Sequence, residues 1–79
     1  MSGYSITYAV EIDYYNGDYD SDVFSNEENA NSYLEDCLQD GKDNKNPAIF
    51  YRITKTETNG GMIVYQKTIK EWNDESEGY

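Results

Sequence analysis

Seventy-nine residues with sixteen carboxylates against six basic side chains, a formal charge of -10, describe one domain near the lower size at which a core holds without disulfides or a metal. That charge argues against direct binding of nucleic acid, where affinity comes from neutralising phosphates with Lys and Arg, and against anionic membranes. A lone cysteine, Cys37, rules out an intramolecular disulfide, and with no histidine any acid–base chemistry falls to carboxylates or Lys in a cleft for which so small a domain has little volume.

High charge with 37% hydrophobic residues raises the question of disorder, and a 15% aromatic content with clear apolar periodicity answers it in favour of a folded chain. The opening Met-Ser-Gly-Tyr lacks the basic and apolar regions of a signal peptide, and no stretch approaches a membrane span, so the expected compartment is the cytoplasm.

From Tyr4 to Tyr15 the chain alternates: Ile6, Tyr8, Val10, Ile12 and Tyr14 on one face, Thr7, Ala9, Glu11, Asp13 and Tyr15 on the other, the period of a half-buried strand. Asn16-Gly17 then predicts a hairpin with a two-residue type I′ loop. Such a loop sets Tyr15 opposite Asp18, Tyr14 opposite Tyr19, Asp13 opposite Asp20, Ile12 opposite Ser21, Glu11 opposite Asp22 and Val10 opposite Val23. Tyr14, Tyr19, Ile12, Val10 and Val23 would face inward, and Glu11, Asp13, Tyr15, Asp18, Asp20 and Asp22 would share the outer face. Two like-charge pairs result, each costing about 0.2–1 kcal/mol. The Asp-rich stretch is therefore either a strand that tolerates the repulsion for a partner's sake or a solvated loop.

Ser25-Asn26-Glu27-Glu28 fits a capping box with Ser25 as N-cap. Ala30, Tyr33, Leu34, Cys37 and Leu38 continue at helical spacing, which predicts a helix from Asn26 to Asp40 with Gly41 just past its end and Glu28 and Glu35 facing water. A polar loop to Pro47 leads into two β-rich runs, Ala48–Glu57 and Met62–Trp72. Asn59-Gly60-Gly61 between them reads as a three-residue hairpin loop pairing Tyr51 with Ile69 and Lys55 with Tyr65. Residues 1–72 are expected as a single α+β domain, two-layered, with one helix on an antiparallel sheet of three or four strands, ββαββ or βαββ if the Asp-rich stretch is a loop. Residues 73–79 are expected as a flexible acidic tail.

Cys37 sits on the apolar stripe of the helix, as a small hydrophobe would. Asp18-Tyr19-Asp20-Ser21-Asp22 begins like a calcium loop, but Val23 replaces the turn glycine and Asn29 the closing glutamate. The expectation is a protein with no catalytic residue, no metal site and no cofactor, working by binding. The charge distribution says where. The first 41 residues hold ten carboxylates and no Lys or Arg, while the remainder holds six of each sign. A one-sign field focuses potential and steers a cationic partner, and Tyr15 and Tyr19 add the aromatic contact area common in interface hot spots. The candidate face is Glu11, Asp13, Tyr15, Asp18, Tyr19, Asp20 and Asp22, extended by Glu28 and Glu35.

In size, in its acidic half and in the Tyr-rich run DYYNGDYDSD, the chain resembles the small, acidic, phage-encoded inhibitor proteins, among them anti-CRISPR and anti-restriction proteins that act as DNA mimics. The resemblance implies a stoichiometric inhibitor that occupies the nucleic-acid site of a host nuclease or surveillance complex, a basic nucleic-acid-binding protein, in the host cytoplasm. Two other classes fit the same residues. An immunity- or antitoxin-type protein would neutralise one basic nuclease or toxin through a few central hot spots. A structural assembly protein would pair as a homodimer through a sheet edge such as Met62–Trp72.

Overall fold

The structure, a computed structural model, describes residues 3–74. Its elements are β1 (Ser5–Tyr14), β2 (Tyr19–Phe24), α1 (Glu27–Asp43), β3 (Ala48–Asn59) and β4 (Met62–Asn73). They form a four-stranded antiparallel sheet in the order β2-β1-β3-β4 with α1 on one face, a two-layer ββαββ fold. The Asp-rich stretch is thus a strand. Asn73, placed in the tail by expectation, pairs with Phe50 in the sheet, and the Asp74 N–H donates to Ile49 O at 2.9 Å. Residues 75–79 of that tail lie outside the described residues.

Alternation along β1 places Val10, Ile12 and Tyr14 under the helix, where they close a core with Ala30, Leu34 and Ile53. Each aliphatic side chain so buried contributes about 1.5–3 kcal/mol. Tyr8, Phe24, Tyr33, Cys37, Leu38, Tyr51 and Ile69 seal the margin, with the Phe24 and Tyr33 rings 5.1 Å apart. The helix packs on β1, β2 and β3; β4 lies beyond it, and Lys70 Nζ spans the gap to Asn31 Oδ1 at 2.8 Å.

Both ends of the helix differ from expectation. Asn26, not Ser25, is the N-cap, its side-chain oxygen accepting from the Asn29 N–H at 2.8 Å. At the other end the helix runs through Gly41 to Asp43. Asn44 caps it, Lys45 takes the left-handed conformation (φ 60°) usual for glycine, and the Asn46 N–H returns to Gly41 O at 2.8 Å, a Schellman turn. Gly41 serves close approach instead of termination. A Cβ there would lie 2.7 Å from Asn46 O and 3.2 Å from the Tyr14 ring.

The second hairpin turns through two residues, not three: Gly60 and Gly61 have φ of 65° and 85°, and Asn59 pairs with Met62. Two bulges in β4 then skip Val64 and Ile69, so Tyr51 pairs with Trp72 and Lys55 with Lys67, in place of the expected Ile69 and Tyr65. The Tyr51 and Trp72 rings stack at 5.5 Å.

Candidate partner-binding surface

The first hairpin departs from its local signal in a way that rearranges every acidic side chain on β2. Asn16-Gly17 does not form a two-residue loop. Tyr14 N–H donates to Asp18 O at 2.9 Å and Gly17 N–H to Tyr14 O at 3.0 Å, so Tyr15-Asn16-Gly17 is a three-residue loop with Gly17 at φ 98°. The cause is tertiary. Asn16 N–H donates to Asn46 Oδ1 and Tyr15 N–H to Pro47 O, each at 2.9 Å, so the segment after the helix holds the loop open by one residue. Asn16 Oδ1 accepts from the Asp18 N–H at 2.8 Å and completes it.

A one-residue slip turns a strand over. The observed pairs are Tyr8 with Phe24, Ala9 with Val23, Val10 with Asp22, Glu11 with Ser21, Ile12 with Asp20 and Asp13 with Tyr19. The expected like-charge pairs, Asp13 with Asp20 and Glu11 with Asp22, do not exist, and their repulsion is avoided. Tyr19 and Val23, expected inside, stand 56% and 58% exposed on the sheet face the helix leaves open. Asp18, Asp20 and Asp22 project instead on the helix side of the β2 edge.

The nine sequence-picked residues therefore do not share one face. Glu11 and Asp13 lie on the open face with Tyr19, and Tyr15 projects from the loop, 76% exposed. Glu11 is already neutralised: Arg52 Nη2 and Nε reach its Oε1 at 2.6 and 2.9 Å, and the guanidinium stands over the Phe50 ring. Glu28 and Glu35 are exposed but flank Asn31 by helical spacing, the side that faces Lys70. Asp18 and Asp20 do come together, and the helix supplies Asp40; Asp22 continues the same side of β2, and Asp36 precedes Asp40 by one helical turn. Sequence reasoning passed over both helix acids. Helical spacing puts both on the flank of Tyr33 that faces β2; once α1 extends to Asp43, the three-residue step from Asp40 to Asp43 and the buried Gly41 give that flank away.

Between the β2 edge and the end of the helix lies a groove of about 420 Å³, lined by Asp18, Asp20 and Asp40, by the amides of Asn16, Asn44 and Asn46, and by Tyr14 and Tyr19. The carboxylates of this groove and its rim, Asp18, Asp20, Asp22, Asp36 and Asp40, make no ion pair with Lys or Arg; the ion pairs among the described residues are Arg52–Glu11 and Lys55–Glu57. Asp20 accepts from the Tyr14 hydroxyl at 2.9 Å. Burial, first, and then that bond and the neighbouring Cys37 push the Tyr14 phenol far above its ordinary value. Tyr33 is pushed up to about 12, mainly by burial, then by Cys37 and by the field of Asp20 and Asp22. Both phenols therefore stay neutral through the neutral and mildly alkaline range.

Carboxylates, amide oxygens and aromatic rings around one polar groove suit a cationic side chain. A guanidinium offers five donors in a planar fork, and carboxylates accept them in pairs. No group of three or more acidic or sulfur side chains among the described residues is arranged to hold a metal ion, and no helix is long and apolar enough to cross a membrane. In comparison with known proteins, no family model matches the chain, and no curated protein and no solved structure matches it either.

Proposed function

We propose that this chain is a stoichiometric inhibitor that docks its acidic β2 ridge into the basic, nucleic-acid-binding cleft of a host defence protein, a CRISPR effector or a restriction nuclease, and so excludes DNA or RNA. The observation that carries this reading is the convergence of Asp18, Asp20 and Asp40 on one groove, with Asp22 continuing the same side of β2 and no Lys or Arg among the described residues paired to any of them. Alternate strand residues are about 6.7 Å apart, which spaces the β2 carboxylates as a row of charge that a phosphate-binding groove can accept.

The shape matters as much as the charge. The β2 edge is acidic on its helix side and carries Tyr19, Ser21 and Val23 on the other, so a partner must clasp an edge from both sides. A cleft built for a nucleic-acid strand does this, and a flat surface does not. Arg and Lys of the partner would take the groove while Tyr15 and Tyr19 supply rigid apolar area, and long-range attraction would speed association at low salt. No turnover is required of the chain, and its site of action would be the cytoplasm of the host.

Capture of host proteins on the tagged chain tests the reading. A nucleic-acid-binding protein retained at low salt, displaced by added DNA or RNA and lost with Asp18→Lys/Asp22→Lys, is the expected result. Equal capture by that variant, or a captured protein indifferent to nucleic acid, would refute it.

A further inference from the structure

We propose that the far end of the β3–β4 hairpin is a self-association surface, on which two copies of this chain pair antiparallel, β4 edge to β4 edge, about a two-fold axis near Met62–Tyr65. Four consecutive residues there, Met62, Ile63, Val64 and Tyr65, are 71%, 60%, 58% and 47% exposed. Runs of three or four consecutive exposed apolar residues are disfavoured on soluble surfaces unless they serve a function. They lie on an open edge. β1 pairs with β3 as far as Ser5 with Thr58, so β3 is flanked on both sides to the tip and the unpaired backbone belongs to β4.

The two edges of the sheet are finished differently. On β2 the Val23 N–H is taken by Asp22 Oδ1 at 2.8 Å, so the strand caps its own outward donor and adds charge beside it, a recognised way to block strand addition. Among the described residues β4 has no such cap.

Charge identifies the occupant. Between Lys55 and Lys67 the hairpin holds one acid, Glu57, which is paired with Lys55 at 3.6 Å and also accepts from the Tyr4 hydroxyl. The acidic groove lies at the opposite end of β1, ten residues away, about 30 Å at strand rise and several Debye lengths at physiological ionic strength. A basic partner is drawn to that far end, and a partner whose acidic charge lies near its contact is repelled by the whole chain. A second copy carries the same near-neutral tip, and a tip-to-tip two-fold contact keeps both acidic ends at maximum distance. Interfaces of stable complexes bury about 1,200–2,000 Å²; a short edge contact is smaller, so the dimer is concentration-dependent.

Sedimentation of the purified full chain from micromolar to millimolar concentration tests this without any partner. The mass should rise from 9.1 kDa toward twice that value, and the rise should persist at high salt, because the contact is apolar and backbone-mediated and the acidic ends lie several Debye lengths away. Ile63→Lys/Val64→Lys should stay monomeric with an unchanged circular-dichroism spectrum, while Asp18→Lys/Asp22→Lys dimerises like the native chain. Amide exchange at 62–65 should slow as native protein is concentrated, a readout that needs no variant. A monomer at millimolar concentration, a dimer undiminished by the lysines, exchange independent of concentration, or growth beyond two copies would each overturn the proposal.

Discussion

The two hairpins of this sheet are built from similar sequence signals and end up under different control. The loop of β1–β2 is bonded to the segment after the helix, through Asn16 to Asn46 and Tyr15 to Pro47, and that outside hold sets the register of β2. Among the described residues the loop of β3–β4 makes no such bonds; its two glycines adopt the local preference, and irregularity is absorbed along the strand by two bulges. Local chemistry decides a hairpin when nothing else touches it. Where a third segment competes, the better set of long-range hydrogen bonds wins.

The sharpest contrast should come from truncating one side chain in each hairpin. Ile12, fully buried under the helix, should cost about 2–5 kcal/mol as Ile12→Ala, whereas the exposed bulge residue Val64 should cost less than about 0.5 kcal/mol as Val64→Ala, both read from urea unfolding. A comparable loss for Val64→Ala would mean that the second hairpin has its own core. Next in size is Gly41→Ala. Its methyl meets Asn46 O at 2.7 Å, so overpacking should destabilise by about 1–3 kcal/mol, and amide NMR shifts should move at Asn16 and Asp18 as the hold on the loop loosens. Shifts confined to the helix would separate register from clamp.

Smaller and of opposite sign, Lys45→Gly should stabilise by about 1 kcal/mol, because the left-handed site no longer carries a Cβ; a melting temperature that does not rise would count against the Schellman turn. The last effect is seen only in alkali. Tyr33 has a folded pKa near 12, above the ordinary 10.0, and Tyr14 is raised as well, so the folded state favours the neutral phenols. Their contribution is complete below pH 10 and lost as pH rises toward 12. Melting temperature should therefore be level from pH 7 to 9 and fall above pH 10, less steeply in Tyr33→Phe. An unchanged slope in that variant would place the alkaline sensitivity in Tyr14 alone.

Element order, the two-layer architecture and the core face of β1 were legible in the sequence because period-two and helical spacing are local properties of Val10, Ile12, Tyr14, Ala30 and Leu34. The side of β2 on which the acids lie was not. It depends on a single residue of loop length, decided by Asn46 and Pro47, which no pattern around Asn16-Gly17 reveals. The like-charge pairs of the two-residue register were the one warning within the sequence, and the structure removes them by the slip. Asp36 and Asp40 were missed for a related reason: Gly41 reads as a helix terminator until Asn46 O is seen packed against it.

The bond between Asn16 and Asn46 joins residues thirty apart in the chain, and this has a kinetic side. A two-residue loop at Asn16-Gly17 can close within microseconds, long before the helix and the turn after it are in place to impose the native alignment. The locally favoured β1–β2 pairing, one residue out of step, therefore competes with the native alignment until those segments have formed. Strengthening that early pairing, for example by a sequence that prefers the shorter loop still more, would slow the chain's arrival at its native state without changing a contact in it.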